Sequence, residues 1–343
     1  MRALPALSLG VAALATTTVL GAAPMVRAGY HVVRTFRLGG DGGWDYLALD
    51  TTTNRLFIAR QNRILVVDPD KGKVIGEVPG LDRAHGIAFD EAHGRGFATS
   101  GRDGTVRMFD LHTLAPLAVI RAAADADAIL YDPATQRIVT FNGDAGSATM
   151  IDPAAGAVVD SIALHASPEF GVSAGTGMLY VNLVDANAVA EIDARAARVT
   201  RQWSIAPCAS PTGLAIDREH GRLFSVCRNK TMAVSDIASG QVIATLPIGA
   251  GVDGARFDPG TGNVFASNGE GTLTVIHEDT PDRFRVVETV RTMTGARTLE
   301  LDPRTHRVYT VGAKFGPVPK NATTFATHGP MVAGSFSLLV LAP

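Results

Sequence analysis

Seven polar or charged residues recur along the chain at intervals of 40 to 44 positions. In chain order they are Asp45, His85, Asp127, Glu169, Thr212, Asp253 and Arg297. Brought to one place, four carboxylates, an imidazole and a guanidinium would bind a cation or a polar ligand. Converging carboxylates raise one another's pKa and favour a shared metal ion or proton. The open alternative is a water-filled space in which the same charges are solvated.

Each of these residues begins a short apolar run that ends in Asp in six of the seven copies, as in residues 85–90 and 212–217. Further runs rich in Val, Ile and aromatic residues follow, separated by Gly, Asp, Asn and Pro, as strands and turns require. A regular period of this length with four strands is typical of a β-propeller. The sequence therefore predicts an all-β fold, a seven-bladed β-propeller of four-stranded blades.

The two ends of the chain predict how the ring closes. The seventh unit ends after its third strand, residues 335–341, whereas an apolar segment without a place in any unit, residues 31–38, precedes the first. This segment resembles the fourth strand of the sixth unit, residues 285–291. We therefore expect the N-terminal strand to complete the last blade of a single propeller domain, residues 29–343.

In a propeller the first strand of each blade lines the central channel, so the seven spaced residues are expected at one channel mouth. The loops between second and third strands open on the same face and add three amides, Asn142, Asn182 and Asn268. Blade seven carries a long insertion there, residues 313–334, which contains Lys314 and His328. Because long loops in compact repeats are usually functional or disordered, we expect a lid or wall that adds these two residues to the ligand site. A flexible insertion is the alternative.

Two kinds of function fit such a mouth. The first is a non-catalytic module that binds a small molecule, a metal ion or an envelope partner. The second is a metal-assisted hydrolase or lactonase, in which Glu169, Asp253 and Asn182, with the other two amides, offer oxygen ligands to a divalent cation. His85 would then serve as a base or as a ligand to a softer metal. Because nothing in the repeats requires catalysis, we favour binding and assign no catalytic residue.

Aspartates that end the first strands, such as Asp50 and Asp217, are interpreted as turn residues that accept backbone N–H groups. His93, His220 and His306 fall in the same turns. We interpret them as solvated residues outside any site.

The first 28 residues predict a cleaved secretory signal peptide. Arg2 precedes a charge-free stretch over residues 3–25, and Val26 and Ala28 supply small residues before a cut after Ala28. We therefore expect a periplasmic or secreted protein with no stable membrane insertion after cleavage. An uncleaved membrane anchor is the alternative, since the stretch is just long enough to span a bilayer.

The two cysteines predict a disulfide. Cys208 precedes the first strand of blade five and Cys227 ends the second strand. The two ends of an antiparallel hairpin are neighbours, so the sulfur atoms are expected within bonding range. Export favours oxidation of the pair, and a pair of metal-binding thiols is the alternative.

Composition and charge exclude two classes of protein, disordered chains and nucleic-acid binders. Hydrophobic residues make up 46% of the chain, which excludes a disordered chain. A formal net charge of −2 provides no basic surface for nucleic acid. We expect a monomer whose partner is a small molecule or an envelope protein.

The motifs in residues 179–182, Leu-Tyr-Val-Asn, and more loosely in residues 264–268 and 307–311, resemble those of the YVTN-repeat propellers. These are typified by the YncE-like periplasmic proteins of bacteria, and the resemblance covers essentially the whole chain after residue 28. It implies a seven-bladed propeller in the periplasm. It does not imply a particular function, because members of this family have varied roles.

Overall fold

The computed structural model describes residue 1, residues 29–318 and residues 329–343. Within these ranges the chain folds into seven four-stranded antiparallel sheets, with one short 3-10 turn at Glu91–His93. The β-branched and aromatic runs of the sequence become the strands, and the Gly- and Asp-rich segments become the turns between them. The expected signal peptide and His328 lie outside the described residues.

The strands follow one another in the order that the repeats predict. They are β1 (His31–Arg37), β2 (Leu47–Asp50), β3 (Arg55–Arg60), β4 (Arg63–Asp68), β5 (Lys73–Pro79), β6 (Ala84–Asp90), β7 (Arg95–Ser100), β8 (Thr105–Asp110), β9 (Pro116–Arg121), β10 (Ala126–Asp132), β11 (Arg137–Asn142), β12 (Ser147–Asp152), β13 (Ala157–Ala163) and β14 (Pro168–Ser173). The second half comprises β15 (Met178–Leu183), β16 (Ala188–Asp193), β17 (Arg198–Ser204), β18 (Pro211–Asp217), β19 (Arg222–Cys227), β20 (Thr231–Asp236), β21 (Val242–Pro247), β22 (Val252–Asp258), β23 (Asn263–Asn268), β24 (Thr272–Thr280), β25 (Arg283–Arg291), β26 (Leu299–Asp302), β27 (Arg307–Gly312) and β28 (Ser337–Ala342). Blades 1 to 6 each take four consecutive strands from β2 onward, and blade 7 has the order β1-β28-β27-β26.

Buried aspartates at the ends of the first strands shape the turns that follow. Asp50 Oδ1 accepts the backbone N–H groups of Thr52 and Thr53 at 3.0 and 3.2 Å. Asp217 Oδ1 accepts the backbone N–H of Glu219 at 2.9 Å. These hydrogen bonds offset the cost of burying a carboxylate, and they confirm the turn role that the sequence predicts for both residues.

The core of the protein lies between adjacent blades. The third residue of each second strand is buried, and these residues are Phe57, Phe97, Val139, Tyr180, Phe224, Phe265 and Tyr309. The ring of Phe57 in blade 1 lies 4.9 Å from that of Phe89 in blade 2, and Phe224 in blade 5 lies 5.5 Å from Phe257 in blade 6. Since each blade buries its apolar faces against its neighbours, the fold depends on a closed ring.

The N-terminal strand closes that ring. Strand β1 pairs antiparallel with β28, with His31 opposite Ala342 at one end and Arg37 opposite Ser337 at the other. Just before β1, the ring of Tyr30 packs 4.9 Å from Phe265 of blade 6, and its hydroxyl donates to the His306 carbonyl of blade 7 at 2.9 Å. The predicted closure is confirmed.

A search of the described residues for a helix long and apolar enough to cross a membrane finds none.

Candidate functional site

The first strands surround the channel axis and bring their opening residues to one mouth. Four of the spaced residues are the second residues of β6, β10, β14 and β22, namely His85, Asp127, Glu169 and Asp253. Asp45 and Arg297 stand two residues before β2 and β26. Together these six residues line a cavity of about 590 Å³, whose wall carries six carboxylates and four arginines. The repeat spacing thus assembles one strongly charged cavity from distant parts of the chain.

His85 lies between two carboxylates at the centre of this cavity wall. Its Nδ1 hydrogen-bonds with Asp45 Oδ2 and lies 3.3 Å from Asp127 Oδ1. Within the described parts of the chain, neither Asp127 Oδ1 nor His85 Nε2 has a hydrogen-bond partner, although both atoms are buried. Gly101 leaves room for the imidazole ring, since a Cβ at that position would lie 2.8 Å from His85 Nε2.

On the other side of the channel mouth, Arg297 pairs with two carboxylates. Its Nε donates to Asp253 Oδ2 at 2.8 Å, and its Nη2 lies 3.4 Å from Asp45 Oδ1. Burial raises the pKa of Asp253, and the Arg297 charge acts in the opposite direction. One guanidinium therefore pairs with two of the four carboxylates at the mouth. The negative charges of Asp127 and Glu169 are less well balanced.

Asp127 and Glu169 are the carboxyl groups with the most strongly perturbed protonation at the mouth. Burial, then the charges of Asp45 and Glu169, raise the pKa of Asp127 well above its usual range. Burial, then the charge of Asp253, raise the pKa of Glu169 to about 8. Glu169 pairs with Arg228, whose Nη2 lies 3.8 Å from Glu169 Oε1. A cleft that holds carboxyl groups in this state is a candidate functional site.

The side chains that converge at the mouth differ from the predicted metal-ligand set of His85, Glu169, Asp253 and Asn182. Among the described residues, the His and acid atoms that converge within 4.8 Å at the mouth belong to Asp45, His85 and Asp127. The reason is ring order, because Asp45 and Asp127 belong to the two blades that flank the blade of His85.

The three predicted amides do not line the cavity. Asn182 Nδ2 donates to the Thr212 and Gly213 carbonyls at 2.8 and 3.0 Å, and its Oδ1 accepts from Ser225 Oγ at 2.8 Å. Asn142 and Asn268 are fully buried, and their Nδ2 atoms donate to Ser and Thr side chains on the following strand. The amide of Asn182 is thus fully used inside the core, whereas the Oδ1 atoms of Asn142 and Asn268 are buried and accept no hydrogen bond from the described residues. The role of the three amides as metal ligands stays a prediction.

Two other predicted ligand residues, Thr212 and Lys314, do not line the cavity. Thr212 is fully buried, and its hydroxyl donates to the Val252 and Val226 carbonyls at 3.1 and 3.3 Å. Lys314 is exposed, and its backbone N–H donates to Ser335 Oγ at 3.0 Å. A threonine at a ring position therefore ties first strands together and offers nothing to a ligand.

The described ends of the insertion pack beside the cavity. Phe315 and Met331 form an isolated antiparallel bridge, and the Phe315 ring lies 6.1 Å from Trp44, which lines the cavity. Residues 319–328, with His328, lie outside the described residues, so the expected lid or wall stays a prediction.

Two aromatic residues that the sequence prediction missed, Trp44 and Tyr46, line the cavity. Tyr46 lines the cavity, and its ring lies 5.0 Å from Phe170. The guanidinium carbon of Arg256 lies 4.9 Å from the centre of the Phe170 ring, and Arg256 Nε pairs with Glu300 Oε1 at 2.9 Å. The Tyr46 side of the cavity wall is therefore backed by a second aromatic ring.

Two charged residues on the rim were also missed. Arg83 and Asp125 precede their first-strand residues by two positions, pair with each other at 3.1 Å, and both have positive φ, 64° and 57°. Gly251 and Gly295 take this conformation at the equivalent positions of blades 6 and 7. Non-glycine residues adopt it at a cost. A charged residue where blades 6 and 7 have glycine was the available signal.

Cys208 and Cys227 form a disulfide in the structure, with Cα atoms 5.6 Å apart. Both residues are buried within blade 5. The bond connects the segment before β18 to the end of β19, as the hairpin argument predicts.

No protein-family model matches this chain, and a search of curated proteins finds no match either. Among solved structures, the chain is similar to the hydrazine synthase of Kuenenia stuttgartiensis, with a TM-score of 0.69 and 17% sequence identity. The match covers 77% of this chain and 91% of that chain. At this identity the likeness shows the fold alone. The observed sheets and this likeness agree that the chain is a seven-bladed β-propeller.

Proposed function

We propose that this chain is an exported, non-catalytic propeller of the YncE-like type that binds a divalent metal ion at its central channel mouth. Asp45, His85 and Asp127 are the proposed ligands. One observation carries the proposal: a single imidazole nitrogen faces an oxygen of each of two buried carboxylates.

The imidazole nitrogen of His85 cannot donate to both acids at once. His85 Nδ1 carries at most one proton, and that proton is shared with Asp45 Oδ2. Asp127 Oδ1 then stays buried without a donor among the residues described. An unpartnered buried carboxyl oxygen is costly, and its surroundings disfavour the ionised form of Asp127 when no cation is bound. A cation between the three atoms would remove that cost.

The donor set selects the class of cation. One imidazole nitrogen and two carboxylate oxygens neutralise a divalent ion and suit borderline transition metals such as Zn²⁺ or Mn²⁺. The rest of the cavity leaves space for water or a small ligand. Arg83, Arg102 and Arg228 line the same cavity and would pair with an anionic oxygen of that ligand.

Three observations support export. The first 28 residues have the signal-peptide pattern, the cysteines are paired, and the repeat motifs resemble those of periplasmic propellers.

The experiment is a calorimetric titration of the chelator-treated protein with ZnCl₂. Replacement of His85 by Ala is expected to remove one equivalent of bound zinc, or to weaken its binding at least tenfold, because the only nitrogen ligand is lost. His93→Ala is the matched control, since His93 also pairs with an aspartate, Asp90, but faces no second carboxylate among the described residues. Zinc binding that is unchanged by His85→Ala would contradict the proposal.

One observation favours a second candidate, a metal-assisted hydrolase or lactonase. Glu169 lines the same cavity, and its pKa of about 8 would keep it protonated as a general acid at neutral pH. Hydrolysis of lactones or esters by the zinc-loaded protein, lost in Glu169→Gln, would favour this candidate over binding alone.

A further inference from the structure

A second His–carboxylate cluster lies on the face opposite the central cavity, at the junction of blades 5 and 6. It consists of Asp217 and His220 in the turn between β18 and β19, and of Glu278 near the end of β24. His220 Nδ1 lies 2.6 Å from Asp217 Oδ2 and 3.0 Å from Glu278 Oε1. His220 was interpreted as a solvated turn residue from the sequence, and the structure places it between two buried acids.

Glu278 occupies a position that is apolar in other blades. Its backbone N–H donates to the carbonyl of Gly262, the glycine of the first turn of its own blade. The residues that make the same backbone hydrogen bond in blades 2, 4 and 5 are Leu111, Ala194 and Ile237. An acid at this position points a carboxylate into a space between blades that the repeat otherwise fills with an apolar group.

The Glu278 carboxylate is buried without a hydrogen-bond partner. Its side chain is 4% exposed, and neither oxygen accepts a hydrogen bond from any described residue. The nearby guanidinium of Arg222 bonds elsewhere, to the Pro281 carbonyl at 2.7 Å and to Asp282 at 2.9 Å.

A single imidazole nitrogen cannot satisfy both acids of this cluster. Its one proton is directed to Asp217 Oδ2 at the shorter distance, which leaves Glu278 Oε1 facing the same nitrogen without a donor. Three ligand atoms that converge in this way form the donor arrangement of a metal site, and His220, 39% exposed, leaves it open to solvent.

We propose that Asp217, His220 and Glu278 form a second binding site for a divalent transition-metal ion of the Zn²⁺ class. The nitrogen and oxygen donors suit such an ion, and water from the solvent side would complete its coordination. Because Asp217 and His220 belong to blade 5 and Glu278 to blade 6, the ion links two blades. Metal binding would therefore stabilise the folded ring.

The chain contains a natural control for this site. Asp90 and His93 form the same Asp-x-x-His turn in blade 2, with 2.8 Å between His93 Nδ1 and Asp90 Oδ2. The next blade places Pro153 beside that turn, where the Pro153 carbonyl accepts from Arg95. The pair thus has the turn and the histidine, and it lacks the third ligand.

The test is a ZnCl₂ titration of the purified, chelator-treated chain by calorimetry, with thermal unfolding measured in parallel. We expect Glu278→Leu and His220→Ala each to lose one equivalent of zinc, or to weaken its binding at least tenfold. His93→Ala is expected to bind as the unaltered protein does. The double variant His85→Ala with Glu278→Leu is expected to lose both equivalents, which separates this site from the central one.

Thermal unfolding provides the second readout. Without metal, Glu278→Leu is expected to unfold at a higher temperature than the unaltered protein, because it removes a buried carboxylate without a partner. With zinc, the order should reverse. Zinc binding unchanged in both Glu278→Leu and His220→Ala, or an equal loss in His93→Ala, would overturn the proposal. If Glu278→Leu does not fold, the surface variant His220→Ala decides the outcome.

Discussion

A chain that lacks residues 29–38 is expected to lose the cooperative fold of the propeller. This deletion removes all of β1, so β28 loses the partner with which it pairs from Ala342 to Ser337. It also removes Tyr30, whose ring packs on blade 6 and whose hydroxyl bonds to blade 7. The cost should exceed about 5 kcal/mol, since truncation of one buried aromatic residue alone costs about 3–5 kcal/mol.

Urea unfolding followed by circular dichroism measures this effect. The matched control is a chain that begins at Gly29, which retains β1 entirely. We expect the control to unfold in one transition, and the shorter chain to aggregate through the exposed edge of β28 or to unfold without a transition. Equal midpoints for the two chains would show that β1 does not close the ring.

Replacement of Glu169 by Gln is expected to stabilise the metal-free protein at pH 8 and to have little effect at pH 5. The folded state raises the pKa of this carboxyl from 4.5 to about 8, mainly by burial. Between these values the folded protein holds a proton that the unfolded chain releases. Stability therefore falls as pH rises from about 4.5 to about 8, by up to about 1.4 kcal/mol per pH unit.

Gln keeps the shape of the side chain and removes the titration. As pH rises, the free energy of unfolding of the variant should therefore increasingly exceed that of the unaltered protein, by up to about 4 kcal/mol at pH 8. Urea unfolding between pH 5 and pH 8.5 in the presence of a chelator measures the difference. Glu77→Gln is the control, because the Glu77 side chain is 55% exposed on an outer strand. If the free energies of unfolding of Glu169→Gln and of the unaltered protein differ by the same amount across this range, the pKa of Glu169 is not raised in the folded state.

The repeats determine where a residue lies in the ring, and for that reason the sequence predicts much of the site. A residue that opens a first strand faces the mouth whatever the rest of its blade contains, so His85, Asp127, Glu169 and Asp253 were found by spacing alone. Their pairing was harder to predict, because it depends on which blades are adjacent. The ring order places Asp45 beside His85 and separates His85 from Asp253.

The sequence did not reveal which polar side chains use their hydrogen bonds inside the fold. Asn182 looked like an oxygen ligand, but its amide, on the second strand of blade 4, donates to two carbonyls of the first strand of blade 5 inside the core. Thr212 looked like a ring residue, but its hydroxyl bonds to backbone carbonyls. Such uses depend on atomic distances that no spacing reveals.

The cluster at Glu278 was missed for a different reason. Its three ligands come from two blades, and only a comparison of equivalent positions shows that an acid replaces an apolar residue there. The Gly262 hydrogen bond establishes that equivalence, and it becomes visible only in the folded chain.

The measurement that tests the central claim most directly is anomalous diffraction at the zinc edge, from crystals of the chain grown with ZnCl₂. The proposed function predicts a strong anomalous peak between His85 Nδ1 and the facing oxygens of Asp45 and Asp127. An intact seven-bladed ring with no peak at that mouth, under conditions in which zinc binds elsewhere on the protein, would contradict it.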